Sequence, residues 1–261
     1  MPTQSKPVTM LDVRDLSVNR SGNPVLQGIN LRIERGEFVG IVGPNGSGKS
    51  TLLLTILGEL SARTGQVSLF GQAPNARKLY GKIGWVSQAA SNLPKDIRLT
   101  VKELVRLGTV NAENMFWFFS AERQARVQKA IEMVGLGDVQ DIDVGRLSGG
   151  QRQRAVVARA LASDAEFILL DEPLVGIDRE ARNTLLKLLD RLCHDEGKTI
   201  LMVSHDLAAI RQTAHRMIYL EEVIRYDGDP AAFPELSELA NLRGIEPVHG
   251  HVHQHEPEEA N

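Results

Sequence analysis

Nine residues carry the clearest chemistry in the chain: Gly43-Pro44-Asn45-Gly46-Ser47-Gly48-Lys49-Ser50-Thr51. The glycines let backbone amides converge on phosphate oxygens without Cβ obstruction. Lys49 adds a point charge for outer phosphates, the Ser50 hydroxyl suits Mg2+, and a helix start behind them favours an anion. This is a phosphate-binding loop, given a strand before it and a helix after it. A second group is Asp171-Glu172, at the exit of the apolar run 167–170. A carboxylate there reaches a bound cation, and its neighbour can orient and deprotonate a water. Read alone, the two are equally well capping or solvated loop acids before Pro173. A third group is Leu147-Ser148-Gly149-Gly150-Gln151. Ser148 and Gln151 make a capping box, while Gly149 and Gly150 bare amides at a helix start. Two glycines in a first turn weaken a helix by up to ~1 kcal/mol each, which the cap does not explain. Phosphate donors with no phosphate of their own imply a second copy of the chain, or a close relative.

The elements that must position these groups are read from hydrophobic period. Residues 9–18 alternate as a strand, and 25–33 give a second, antiparallel through Ser21-Gly22-Asn23-Pro24. Residues 38–42 are wholly apolar, as in a parallel strand buried on both faces, and feed the glycine loop. Next comes a leucine-rich helix, from Lys49 to about residue 60. Residues 65–70 and 83–88 are further strands. From 100 to about 162 the pattern is helical. Buried strands return at 167–171 and 199–203, with the amphipathic stretch 181–194 between them, and 217–220 with 223–225 suggests a closing hairpin. An α/β core interrupted by a helical insert at about 89–162 is expected. The ordered unit spans 9–245, and 246–261 forms a polar, histidine-rich tail expected to be disordered.

Composition narrows the classes. The 261 residues are 42% hydrophobic and 24% charged, ordinary for a soluble globular protein. A net charge of -3 argues against nonspecific nucleic-acid binding, which needs a basic surface. One cysteine, Cys193, excludes an internal disulfide framework and suits a reducing compartment. The start, Met1-Pro2-Thr3-Gln4-Ser5-Lys6, has no apolar stretch behind it, so no signal peptide is expected. Apolar runs such as 52–57 are far too short to span a bilayer. Any membrane work must go through a partner.

The ordered set of groups resembles the ATP-binding subunit of ATP-binding-cassette (ABC) transporters over roughly residues 10–243. That set is the Walker A loop at 43–51, Gln88, the signature at 147–151, the Walker B run at 167–172, Asp178 and His205. Taken singly, Gln88 reads as a strand-end residue, Asp178 as a helix N-cap and His205 as a strand-end histidine. The resemblance implies an α/β P-loop NTPase fold: a RecA-like core, an antiparallel β subdomain and an inserted α-helical subdomain. It implies that ATP is hydrolysed with Mg2+ held by Ser50, Asp171 and Gln88. Glu172 then orients the water, His205 contacts the γ-phosphate and Glu172, and Gln88 relays nucleotide state to the helical lobe. Two such chains, a homodimer or a pair with a related ATPase subunit, face head to tail. Each ATP is clamped between one loop and the other chain's Ser148, Gly149, Gly150 and Gln151, with Asp178 at the interface. An integral membrane permease holds the dimer at the cytoplasmic face of the membrane, and an extracytoplasmic substrate-binding protein serves it indirectly.

Two departures stand out. Arg20 occupies the position where an aromatic residue usually stacks on adenine; a guanidinium can also stack on a base. Leu174 and Val175 replace commoner polar or aromatic residues. The overall sequence, including Leu93-Pro94 and Leu99-Thr100-Val101 after Gln88, looks most like ATPases of zinc, manganese or iron importers. His249, His251, His253 and His255 alternate in the tail, either as loose Zn2+ ligands or as a solvated stretch of biased composition. Met115-Phe116-Trp117-Phe118-Phe119 either packs the helical lobe or lines a groove for a permease helix. A soluble ABC ATPase of iron-sulfur cluster assembly is the alternative, as is a transporter of another substrate. A DNA-maintenance ATPase is excluded, because only about a hundred residues separate loop and signature, too few for long coiled-coil heptads.

Overall fold

The computed structural model describes residues 8–88, 98–110 and 120–234. Leu93-Pro94, the apolar block Met115 to Phe119 and the four tail histidines lie outside the described residues. Strands β1 (Thr9–Arg20) and β2 (Asn23–Glu34) pair antiparallel. They join through Ser21 and Gly22, whose φ angles of 49° and 84° make the mirror-image turn that matches strand twist. Asn23 and Pro24 thus begin the second strand rather than the turn. β3 (Phe38–Val42) is buried at every residue. The helix behind the glycine loop, α1 (Lys49–Ile56), stops short of residue 60, where Gly58 turns the chain at φ 79°. β4 (Thr64–Leu69) pairs with the free side of β1, which gives a three-stranded sheet of order β2-β1-β4.

The second sheet adds β5 (Ile83–Val86), β6 (Phe167–Asp171), β7 (Thr199–Val203), β8 (Arg216–Glu221) and β9 (Val223–Gly228) to β3. Its order is β5-β6-β7-β3-β8-β9, parallel except for the terminal β8–β9 hairpin. Between β5 and β6 the chain forms α2 (Val101–Leu107), α3 (Ala121–Met133) and α4 (Gly149–Ala162). After β6 come α5 (Arg179–His194) and, after β7, α6 (Leu207–Thr213). At seven residues α6 is too short for its period to show, although Asp206 caps it by accepting from the Ala209 amide at 3.0 Å.

The parallel strands explain their unbroken apolar runs. Alternate side chains enter two cores: Ile168, Leu170, Ile200 and Met202 meet the helical face, while Phe167, Leu169, Leu201 and Val203 meet α1 and the antiparallel sheet. Each such Leu or Ile contributes about 1.5–3 kcal/mol by leaving water. Polar residues in these rows are therefore confined to the strand ends, as Thr199 and Asp171 are. Among the described residues no helix is long and apolar enough to cross a membrane.

Candidate nucleotide site

Register assembles the site. Asp171 of β6 lies beside Val203 of β7, which lies beside Ile41 of β3; Val86 of β5 lies beside Leu170. Neighbouring strands are about 4.8 Å apart, so the residues just past these rows emerge along one edge. Gln88, Glu172, His205 and the glycine loop are the groups that emerge there. Ligands of open α/β sheets gather at this carboxyl edge.

The loop enters α1 through Gly48, at φ 97°, where a Cβ would lie 2.5 Å from Leu26 Cδ2; only glycine fits. No side chain caps α1. Its first amides are left for an anion. Lys49 Nζ donates to the carbonyls of Gly43 at 2.8 Å and Pro44 at 2.9 Å. Burial pushes the Lys49 ammonium below its ordinary range, opposed by the charges of Glu172 and Asp171. Ser50 Oγ donates to Asp171 Oδ1 at 3.4 Å. Burial raises the Asp171 carboxyl, against the Ser50 hydrogen bond; the Glu172 charge raises it further and Lys49 lowers it. A desolvated carboxylate beside a hydroxyl is an oxygen pair suited to a hard cation.

Glu172 has left the strand at φ 51°, a left-handed conformation costing about 1–3 kcal/mol in a non-glycine residue. Its amide donates to Val203 O at 2.9 Å, which pins the bend. Oε2 accepts from the His205 amide at 3.2 Å and lies 2.8 Å from His205 Nδ1. Because a carboxylate only accepts, Nδ1 carries the proton and Nε2 is left for another partner.

A cleft of about 450 Å³ is lined by Asn45, Gly46, Ser47, Gly48, Lys49, Ser50 and Thr51 of the loop, with Gln88, Glu172 and His205 across from them. Gly43 and Pro44 hold Lys49 through their carbonyls, and Asp171 stands beside Ser50. Val25 and Val175 also line the cleft, and sequence reasoning missed both. Arg20 does not line it: the residue is exposed at the end of β1, and Val25 supplies the apolar wall instead.

Ser148, Gly149, Gly150 and Gln151 do not line the cleft either. The capping box is present, with Gln151 N donating to Ser148 Oγ at 3.2 Å and Ser148 N to Gln151 Oε1 at 3.0 Å. The two glycines differ in their surroundings. A Cβ on buried Gly150 would lie 2.3 Å from Ala181 Cβ, so packing of α4 on α5 already requires glycine there. Gly149 is exposed, and a Cβ there would meet Gly176 O at 3.2 Å. Asp178 is exposed and caps α5, accepting from Ala181 N at 2.9 Å.

Comparison with known proteins decides the family. The family described as ABC transporter matches residues 26–175. The chain belongs to the ABC transporter family. It is the ATP-binding, ATP-hydrolysing subunit. The ABC ATPase is 36% identical over 219 residues to the zinc uptake system ATP-binding protein ZurA of Listeria innocua, covering 84% of this chain and 85% of that one. It is 35% identical to the high-affinity zinc uptake system ATP-binding protein ZnuC of Bacillus subtilis, over 82% of this chain and 92% of its relative. Among solved structures, the dimeric post-hydrolysis state of the ATP-binding cassette MJ0796, bound to ADP and Pi, superposes with a TM-score of 0.71 at 31% identity. The match covers 86% of this chain and 100% of that one.

Proposed function

We propose that the ABC ATPase powers import of a divalent transition-metal ion, zinc first and manganese next, through a separate membrane permease. Its relatives named for zinc uptake support the cargo. They are transport ATPases rather than iron-sulfur assembly ATPases, which disfavours the soluble scaffold reading. The observation that carries the hydrolytic reading is the 2.8 Å approach of His205 Nδ1 to Glu172 at the mouth of a cleft walled by the phosphate loop.

The loop amides and Lys49 bind the outer phosphates of ATP, and Lys49 exchanges its two carbonyl partners for phosphate oxygens. Ser50, Asp171 and Gln88 present oxygens that fit Mg2+, which when bound neutralises charge on the β- and γ-phosphates. Glu172 orients the attacking water and accepts its proton, while His205 fixes the carboxylate and offers Nε2 towards the γ-phosphate. The exposed Ser148–Gly149 turn serves the ATP of a second copy or a related subunit, head to tail, with Asp178 at that interface. Residues 9–245 are the ATP-binding unit, whose insert at about 89–162 meets the permease at the cytoplasmic face. An extracytoplasmic binding protein delivers the ion. His249, His251, His253 and His255 offer imidazoles to the same ion.

The test is ATP-driven accumulation of radioactive zinc in proteoliposomes holding the ATPase and its partner permease. Uptake that requires Lys49 and exceeds uptake of calcium supports the reading. Turnover that never couples to a transition metal sinks the cargo assignment and leaves the ATPase standing.

A further inference from the structure

His205 has little to hold it. Its side chain is 61% exposed, and its ring meets the Glu172 carboxylate. The backbone on either side must therefore aim it. On one side Ser204 is buried and donates its amide to Ile41 O at 3.0 Å, which anchors the chain to β3. On the other side stands Asp206. Its amide donates to Ser204 Oγ at 3.0 Å, its Oδ1 caps α6 at 3.0 Å, and its Oδ2 pairs with the guanidinium of Arg182. A helix as short as α6 is marginal by itself and cannot fix its own start. Arg182 can, because it sits in the first turn of α5, a sixteen-residue helix. That turn is fixed twice over, by the Asp178 cap and by the close approach of Ala181 to Gly150. The Arg182 and Asp206 side chains are 32% and 21% exposed, so water screens the pair less than an open surface pair. Arg182 does not line the cleft.

We propose that Arg182 is a positioning residue for ATP hydrolysis, holding His205 against Glu172 through Asp206. The proposal rests on the assignment of Glu172 and His205 above. Without Arg182, a mostly buried Asp206 carboxylate loses its counter-charge one residue from His205. The loop then relaxes, and the Glu172 carboxylate loses its second anchor. ATP binding by the loop is untouched, so the effect falls on kcat rather than KM.

Steady-state ATPase assays on the full chain test this. Arg182→Ala should lower kcat by about tenfold or more with the KM for ATP changed less than about twofold, the pattern of lost alignment. Arg182→Lys, which restores the charge, should recover at least about a third of the turnover. Asp206→Asn keeps the α6 cap, since asparagine caps as well as aspartate, and should reproduce the loss. The double variant should be no worse than either single one, as expected for one shared interaction. Wild-type kcat in Asp206→Asn, or additive losses in the double variant, would overturn the proposal; Asp206→Asn alone decides if Arg182→Ala fails to fold. Glu172→Gln separates the two levels. If Glu172→Gln turns over normally, the site assignment fails; if it is silent while Asp206→Asn is fully active, only the role of Arg182 fails.

Discussion

The chain holds two glycine-bearing helix starts, and they are finished differently. At α1 the helix opens on Gly48 with no side-chain cap, beside a buried Lys49, inside a cleft. At α4 the helix opens on Ser148 with a complete capping box, on the surface and away from that cleft. The first leaves its amides for a ligand to satisfy, which suits a site that waits for a triphosphate within its own chain. The second satisfies part of its amides internally and so survives exposed, presenting the remainder outwards. Under the proposed head-to-tail pairing its ligand arrives on another molecule. On that reading one sequence pattern, glycines at a helix start, serves a pocket in one place and a contact face in the other.

The strongest way to break this contrast is to disable the cleft without emptying it. Glu172→Gln should lower turnover at least ~10²-fold, the usual scale for a general base, while ATP still binds and still brings chains together. Phosphate release near the wild-type rate would remove Glu172 from catalysis. The division of labour can be tested by mixing. Lys49→Ala and Ser148→Arg chains should each be nearly inactive alone, yet an equimolar mixture should regain roughly a quarter of wild-type turnover, because half the pairs hold one intact composite site. A mixture as silent as its components would place loop and signature in the same functional half.

The two glycines of the signature sharpen the comparison at smaller scale. Gly150→Ala should destabilise the fold by about 1–3 kcal/mol in denaturant titration, the cost of overpacking against Ala181. Gly149→Ala should change stability by less than about 1 kcal/mol, while weakening ATP-dependent association. Equal stability losses at both positions would undo the distinction. The smallest effect is expected from the tail: by calorimetry, a chain ending at Pro247 should take up less Zn2+ than the full chain, and equal uptake would show that the tail histidines are not a metal site.

Much of the site was legible because its residues are contiguous. The loop at 43–51, the Ser148–Gln151 box and the Asp171-Glu172 exit each fit within a few residues, where spacing alone implies geometry. The strands were legible because burial on both faces leaves little room for polar residues, as in 38–42 and 200–203. The features that escaped are those that contact decides. Val25 and Val175 carry no chemical signal, so nothing in their own neighbourhood marks them as cleft walls. Arg20 is exposed at the end of β1 and does not line the cleft. Aspartate is a residue type that caps helices, a signal at Asp206 that could mark the start of α6, but its partner Arg182 lies twenty-four residues upstream.

The sequence by itself determined that a nucleotide loop, a pair of acids and a capped signature exist, because local covalent spacing and helix-start chemistry suffice for each. Only the tertiary structure decided that Glu172 reaches His205, that a Cβ on Gly150 would collide with Ala181 while one on Gly149 would meet Gly176 O less closely, and that Arg182 pairs with Asp206. Those facts depend on strand register and on helices crossing at contact distance. Both come from burying two apolar faces of one sheet at once, a condition no single stretch of the chain contains.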